Sequence, residues 1–391
     1  MEYIKDLNFS EKLLPNKNPY ISWFYCFFPA LIGYFSLLTS YLNTKKVVGL
    51  INITDQKAMS RIVYSSSKIE EIVSGHINLN GPMIIESDSL NYLLYSDTHE
   101  NRIYKWEEGK GFFTIGESRY IDNSGCSRKN LECREIFQPG SRGILRIQSF
   151  DTSPSINLVV AQTGDRSISL LFENGTRNTL ASKYKDDRLN SPIDLVWSDQ
   201  GHLYFIDWKL YEHYNEISQI DFNTGIFFMH RDDIINSIRT KIPTNNLLFF
   251  NFSNLLTSSM GLAFNPKFSR VYVTDPLQSK IFIFDIDGES GAISNGRILF
   301  DGSLDKQKYS SFRGIKLDSN GNIYVTTGEG ILILNLLGEI IGMFELGQKA
   351  SNLVISSDGW LYITSNGSVF RIRTRAKPAA LFEPPSGKIR L

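Results

Sequence analysis

One short pattern recurs six times along most of this 391-residue chain. It reads NYLLYSDTHENRIYKWEEG from Asn91, INLVVAQTGDRSISLLFENG from Ile156 and HLYFIDWKLYEHYNEISQIDFNTG from His202. It returns as RVYVTDPLQSKIFIFDIDG from Arg270, NIYVTTGEGILILNLLGE from Asn322 and WLYITSNGSVFRIRT from Trp360. Each unit is a short β-branched and aromatic strand, a polar turn and a second alternating strand. Turns at Asp199, Ser319 and Ser357, and the looser PKFS at Pro266, precede four of them. A lone hairpin cannot bury both of its faces, whereas units stacked around an axis share a continuous core and leave only protected edges. Their spacing of roughly 50 residues lies in the range of propeller repeats. No long amphipathic helix pattern interrupts the series. The fold expected is all-β, a six-bladed β-propeller; the repeats alone leave seven blades or a pair of β-sandwiches open. Either KIEEIVSG from Lys68 or the tail AALFEPPSGKIRL supplies a strand to close such a ring.

Composition agrees with a large core: 42% of residues are hydrophobic, 13% aromatic and 21% charged, which excludes a disordered or low-complexity chain. Lys+Arg and Asp+Glu balance at 41 each, with no basic run, so no nucleic-acid partner is expected. The N-terminus is different. Residues 21–42, ISWFYCFFPALIGYFSLLTSYL, carry no charge, and Trp23, Tyr25 and Tyr41 fall near the ends. About 20 apolar residues span a bilayer as a helix, with aromatic side chains at the interfaces. The segment before it is long and of mixed charge and no small-x-small cleavage site follows, so an uncleaved anchor is expected rather than a signal peptide.

Lys5, Lys12 and Lys17 before this segment nearly balance Lys45, Lys46 and Arg61 after it, so charge alone does not orient it. Cys126 and Cys133, in CSRKNLEC, bracket a short polar loop and suggest a local disulfide formed in an oxidising lumen; two unrelated thiols are the alternative. Sequons at Asn52, Asn174, Asn251 and Asn366 agree with a luminal domain. The expected map is an N-terminal tail (1–21), a transmembrane signal anchor (22–42), a stalk with a possible closing strand (43–75), the propeller (76–378) and a C-terminal tail (379–391). Such a chain is a single-pass membrane protein of type II, its propeller in the secretory-pathway lumen or outside the cell.

Six ordered motifs accompany the repeats: NGPMI at Asn80, LLYSD ending at Asp97, GSRGI at Gly140, LNSPID ending at Asp194, MGLAFNP at Met260 and RGIKLD at Arg313. In this order they resemble the senescence marker protein/gluconolactonase (regucalcin-like) family, from about Asn80 to Thr374. The resemblance implies a propeller holding one divalent cation, usually calcium, in its axial channel, and hydrolysis of sugar lactones or related esters. The metal polarises the carbonyl and an acidic ligand assists proton transfer. The family's ligands are a Glu, two Asn and an Asp, hard oxygen donors suited to calcium.

Those positions are occupied here by Asn80, Ile193, Met260 and Arg313. Isoleucine offers no ligand, methionine sulfur is soft, and arginine brings a positive charge into a cation pocket. The Asp of the family's Asn-Asp pair survives as Asp194, Thr163 stands where lactonases often place a channel histidine, and Arg142 lies in GSRGI. The resemblance therefore places Asn80, Arg142, Thr163, Ile193, Asp194, Met260 and Arg313 in a ligand channel. Asn80 and Asp194 are left as the metal candidates should the calcium site be rebuilt, and Asp194 as the one catalytic candidate. Arg313 is expected either to replace the cation and pair with Asp194 or to reach the surface at the channel mouth. Two functions stay open: a catalytically degenerate propeller binding a lactone-like small molecule or a protein at its mouth, and a calcium-dependent lactonase or esterase with a rearranged metal site.

Other acids read as structural. Asp97, Asp207 and Asp275 end strands at equivalent places in their repeats, and DIDGE from Asp285 reads as a hairpin turn. The five histidines show no ligand spacing and no Ser stands in G-x-S-x-G, so serine or zinc hydrolase chemistry is not expected.

Overall fold

The computed structural model describes residues 46–86, 91–100, 102–114, 141–147, 157–172, 175–208, 222–305 and 308–379, with 141–147 described by backbone alone. The expected anchor 22–42, both Cys126 and Cys133, and the last residues of the C-terminal tail lie outside these. Among the described residues no helix is long and apolar enough to cross a membrane.

The described chain begins with β1 (Lys46–Val48), β2 (Leu50–Ile53), helix α1 (Gln56–Ser60) and β3 (Ile69–Val73). Blade I is β4 (Leu79–Glu86), β5 (Asn91–Asp97), β6 (Arg102–Glu107) and β7 (Gly111–Thr114). Blade II is β8 (Ser141–Ile147), β9 (Asn157–Gln162), β10 (Ser167–Leu171) and β11 (Arg177–Ala181). A two-stranded hairpin, β12 (Lys183–Tyr184) and β13 (Asp187–Arg188), leads to blade III: β14 (Pro192–Trp197), β15 (Leu203–Asp207), β16 (Gly225–Met229) and β17 (Leu247–Asn251). Helix α2 (Arg231–Thr240) lies between its last two strands. Blade IV is β18 (Gly261–Phe264), β19 (Arg270–Asp275), β20 (Lys280–Ile286) and β21 (Ile293–Asp301). Blade V has β22 (Ile315–Leu317), β23 (Ile323–Thr326), β24 (Gly330–Leu334) and β25 (Ile340–Glu345), and blade VI has β26 (Ala350–Ile355), β27 (Trp360–Ser365) and β28 (Val369–Arg373). The molecule is a six-bladed β-propeller; five of the six repeats are the second and third strands of their blades, and the one from His202 holds β15 and ends where β16 begins.

Burial explains the sequence pattern. Middle strands are covered on both faces by adjacent blades, so β9, β15, β16 and β24 are buried along their whole length and read as continuous apolar runs. Outer strands such as β21 bury few residues fully, and all of its residues but Ile293 are at least partly exposed. Each blade interface has its own core: Leu94 and Val160 share one cluster between I and II, Leu195, Phe227 and Ala161 another between II and III, and Tyr204 packs on both Phe228 and Phe264 between III and IV. Tyr272 and Ile323 belong to one cluster between IV and V, Tyr324 and Leu361 to one between V and VI, and Tyr362 packs on Trp106 in the cluster where VI returns to I.

The ring closes through the N-terminal strands. β3 pairs antiparallel with β28, from Val369↔Val73 to Ile372↔Ile69, and so completes blade VI. β1 adds beyond β3, and β2 pairs with β25 at the edge of blade V. The expected segment 43–75 is thus no free stalk: from Lys46 it adds β1, β2 and β3 to the sheets, and β3 is the closing strand looked for from Lys68. The short run VVGLINI has too few residues to announce strands by alternation, and its partners lie at the far end of the chain. Gly49 makes the switch between blades at φ +71°, and a Cβ there would lie 2.2 Å from the Glu345 carbonyl oxygen. Asp55 caps α1 by accepting from the Ala58 N–H at 2.9 Å, and the helix sends Met59 into the core between V and VI.

A buried cation fixes the seam. Arg371 of β28, 2% exposed, donates from Nε to Glu70 of β3 at 2.8 Å and from Nη1 to Glu108 of blade I, with its guanidinium 4.1 Å from the Trp360 ring centroid. It thus joins the closing strand, the last blade and the first. Removing one half of such a pair leaves the other without its partner, so Arg371→Met is expected to cost roughly 3 kcal/mol. A urea midpoint within error of the wild type would contradict this role.

Candidate functional site

The six inner strands β4, β8, β14, β18, β22 and β26 line the axis in that order, each beside the next. Register shifts mark the entries of four of them: Asn80/Met83, Ser141/Gly143, Pro192/Asp194 and Ala350/Asn352. A bulge re-aims the chain at a strand's end, and the channel residues named from the sequence cluster at these entries. Asn80 opens blade I, Arg142 blade II, Ile193 and Asp194 blade III, Met260 blade IV and Arg313 blade V. The side chain of Arg142 is outside the described residues.

Hydrogen bonds pass from blade to blade through this end. Thr163 Oγ1 of blade II donates to the Pro192 carbonyl of blade III at 3.0 Å. Asp194 Oδ2 accepts from the Leu262 N–H of blade IV at 3.1 Å, and Thr274 Oγ1 donates to the Arg313 carbonyl of blade V at 2.6 Å. The Gly314 N–H donates to the Ser351 carbonyl of blade VI at 3.3 Å, and Ser351 Oγ donates to the Leu79 carbonyl of blade I at 2.5 Å. Close approach is required here: a Cβ on Gly261 would lie 2.0 Å from the Arg313 carbonyl oxygen, and one on Gly314 would lie 2.4 Å from Asn352 Oδ1.

Three Asx side chains turn their acceptors onto the N–H that follows them. Asn80 Oδ1 accepts from Gly81 at 2.9 Å, Asp194 Oδ1 from Leu195 at 3.0 Å and Asn352 Oδ1 from Leu353 at 2.8 Å. Each Asp194 oxygen thereby accepts one backbone N–H. Burial pushes its carboxyl above the usual range, opposed by the charge of Lys316 and by the two N–H donors. Ile193 and Met260 are buried in one apolar cluster. Arg313 is half-buried, and loss of water lowers its pKa; its guanidinium makes no hydrogen bond or ion pair among the described residues. The expected Arg313–Asp194 pair is absent among these, and Lys316 is the cation whose charge acts on Asp194.

Lys316, Thr274, Ser351 and Asn352 escaped the sequence reading. The triplets Ile193-Asp194-Leu195 and Ser351-Asn352-Leu353 share one pattern at matching places, which is the signal that marks Asn352.

These residues do not fit calcium. The ion needs several convergent hard oxygens, but the Oδ1 of Asn80 and both oxygens of Asp194 face backbone N–H groups, Ile193 and Met260 supply none, and Arg313 repels a cation. The ligand atoms of His76, Asp97 and Glu100 lie within 4.8 Å of one another, yet they form a structural corner. Asp97 accepts from the N–H groups of Ile77 and His99, each at 2.9 Å, and Glu100 accepts from the Tyr104 hydroxyl. Asp207 and Asp275 act likewise. Asp207 holds the N–H groups of Asn190 and Ser191 at 2.6 and 2.5 Å, and Asp275 those of Thr257 and Ser258 at 2.7 and 2.9 Å. Each carboxylate ties an interblade loop to a strand end.

Against known proteins, the model of the SMP-30/gluconolactonase/LRE-like region matches residues 80–367. The chain belongs to this family. A family relative, the gluconolactonase of Zymomonas mobilis subsp. mobilis, is 26% identical over 332 residues, covering 81% of this chain and 84% of the relative. A Xanthomonas campestris gluconolactonase structure superposes with a TM-score of 0.65 at 18% identity, covering 85% of this chain and 99% of that one. A calcium-binding regucalcin from Agrobacterium tumefaciens gives a TM-score of 0.55 at 14% identity, covering 86% and 97%. The two structures agree on the fold; the family match adds the ancestry of the channel.

Asp207 also carries a pH signature. Burial, outweighing its two N–H donors, raises its pKa to about 7. The folded state then keeps a proton that the unfolded chain, near pKa 3.9, releases. Its contribution to stability is full below about pH 4 and falls as pH rises to about 7, by at most about 1.4 kcal/mol per pH unit. Asp207→Asn removes this dependence, so the stability gap between wild type and variant shifts toward the variant from about pH 4.5 to about pH 7. A gap that stays constant across urea titrations in that window would refute it.

Proposed function

We propose that this chain is a membrane-anchored gluconolactonase-like propeller, catalytically degenerate, whose channel mouth serves as a ligand-binding module. One observation carries this reading: the four positions that would hold the family's cation present Asn80, Ile193, Met260 and Arg313, with the remaining acceptors of Asn80 and Asp194 turned onto the backbone. Such an arrangement has no oxygen cage to polarise a carbonyl and no carboxylate free to take a proton from water.

The competing reading is a sugar-lactone hydrolase with a rearranged calcium site, favoured by the similarity to the Zymomonas gluconolactonase. Calcium titration of the full chain with a lactone-hydrolysis assay separates the two. A functional site at a hundredfold excess of calcium over its Kd would add about 2.7 kcal/mol to stability. The degenerate propeller shows no calcium-dependent rise in Tm and no turnover above the spontaneous rate; a rise together with turnover overturns it.

The anchor at 22–42 places the propeller in the secretory lumen or outside the cell in this proposal, with a Cys126–Cys133 disulfide. Asn251 and Asn366 are exposed and open to glycans, whereas the Asn52 side-chain nitrogen donates to Glu345 within the β2–β25 pair. Expression in a glycosylating host is expected to give membrane-bound protein that loses mass on deglycosylation, with both cysteines protected from alkylation until reduced. Soluble, unglycosylated protein with two free thiols would sink this topology.

A further inference from the structure

The outer edge of blades V and VI lacks the protection that an exposed strand normally carries. β1 and β2 stand last in their sheets, so each presents an unpaired backbone edge among the described residues. Such edges are usually blunted by charge, proline or a bulge. The outer strand of blade IV follows that rule, with Arg297 and Asp301 in β21 and two register shifts against β20. From Val47 to Ile53 there is no charged residue, and the register of β2 on β25 is unbroken. Val48 and Ile51 pack on the core between V and VI, but Val47, Leu50 and Ile53 are 58%, 64% and 45% exposed. The strip is apolar toward the core and apolar again toward the outside.

Positive charge flanks it. Lys46, Lys57 and Arg61 are exposed and stand in no ion pair among the described residues. Asp55 is the one acid between them in a chain that is neutral as a whole, and one of its oxygens caps α1. The neighbouring acids are engaged within the fold: Glu70 with Arg371, Glu71 with Ser368 and Glu345 with Asn52. What covers the strip follows from what precedes it. Only residues 43–45 separate Lys46 from the uncharged run 21–42. A link that short reaches roughly 14 Å at full extension, so a chain anchored at 22–42 delivers β1 to the headgroup layer. Apolar side chains with basic neighbours suit that layer, where the former enter the boundary with the acyl chains and the latter meet phosphates. The unpaired N–H and C=O groups of the edge set the depth, since they need water or headgroups as partners.

We propose that the β1–β2 edge is a phospholipid-binding surface on which the propeller rests, with Val47, Leu50 and Ile53 in the interface and Lys46, Lys57 and Arg61 on headgroup phosphates. This rests on the anchor at 22–42 in the reading above and adds how the anchored propeller is held: by its rim. β22 and β26 line the channel at the opposite edges of the same two sheets. The docked edge is therefore the one farthest from the channel, and the mouth stays open to solutes on the aqueous side.

The test uses the full chain reconstituted in vesicles of phosphatidylcholine with phosphatidylserine. A photoreactive benzoylphenylalanine replaces Val47, Leu50 or, as a control, Ile298, which is 48% exposed on the outer strand of blade IV. Illumination is expected to give phospholipid adducts at positions 47 and 50 and little or none at 298. Reversing two charges, with Lys57→Glu and Arg61→Glu together, should lower the adduct at position 50 by about tenfold or more. A cross-linked dimer in place of lipid adducts, no adduct at 47 and 50, equal lipid yield at 298, or an undiminished yield after charge reversal would each overturn the proposal and leave the anchor standing. A replacement at 47 or 50 that lowers the Tm of the propeller would show the side chain to be needed by the fold itself, and would overturn it too. Protein stripped from the vesicles by alkaline carbonate would overturn the anchor reading, and this inference with it.

Discussion

The pairing of Ile69–Val73 with Val369–Arg373 is the contact on which the rest of the propeller depends. Each blade is a thin sheet that buries its faces only against its two neighbours, so the cores form a circle. Opening the circle at this seam would expose the core that Tyr362 and Leu93 share and leave the edge of β28 unpaired. Arg371 stands at that place, binding the closing strand and the first blade to the last. Its burial between Trp106 and Trp360 is tolerable because Glu70 and Glu108 answer its charge.

The channel end follows a different logic. Its backbone is held by Thr163, Asp194, Thr274 and Ser351, each contacting a main-chain group in the next blade. None of these bonds involves a residue from the family's ligand positions as side-chain donor or acceptor. The ring geometry therefore survives when those four positions change. Scaffold and chemistry are separable here, which is why belonging to this family and presenting Asn80, Ile193, Met260 and Arg313 at the channel entries coexist in one chain.

Much of this was legible in the sequence because it is local. The strand-turn-strand units announced six blades, and the acids closing β5, β15 and β19 proved to be loop ties. The altered ligand positions were readable because each sits in an ordered motif. What escaped was tertiary. The strands 46–48 and 50–53 are too short for periodicity to show, and Asn52 finds Glu345 at a sequence separation of 293. The surroundings of Arg313 were equally hidden, since the sequence left it either to pair with Asp194 or to reach the surface, and only the assembled ring shows that Lys316 is the cation whose charge acts on Asp194. Asn352 carries no motif of its own; its place becomes evident when the sixth inner strand is laid beside the third.

The stretch from Lys46 to Ile53 has a consequence for how the molecule comes to exist. It borders two blades at once, crossing from β3 to β25 at Gly49, and both partners depend on strands near the opposite terminus. Lys46–Ile53 therefore leave the ribosome long before the strands near residues 340–373 on which their places depend. Loop closure over such a span is slow, and until it happens the N-terminal strands and the edges of blades V and VI remain open to pairing with other chains. The lock that makes the finished ring durable is thus also its longest-lived vulnerability during synthesis.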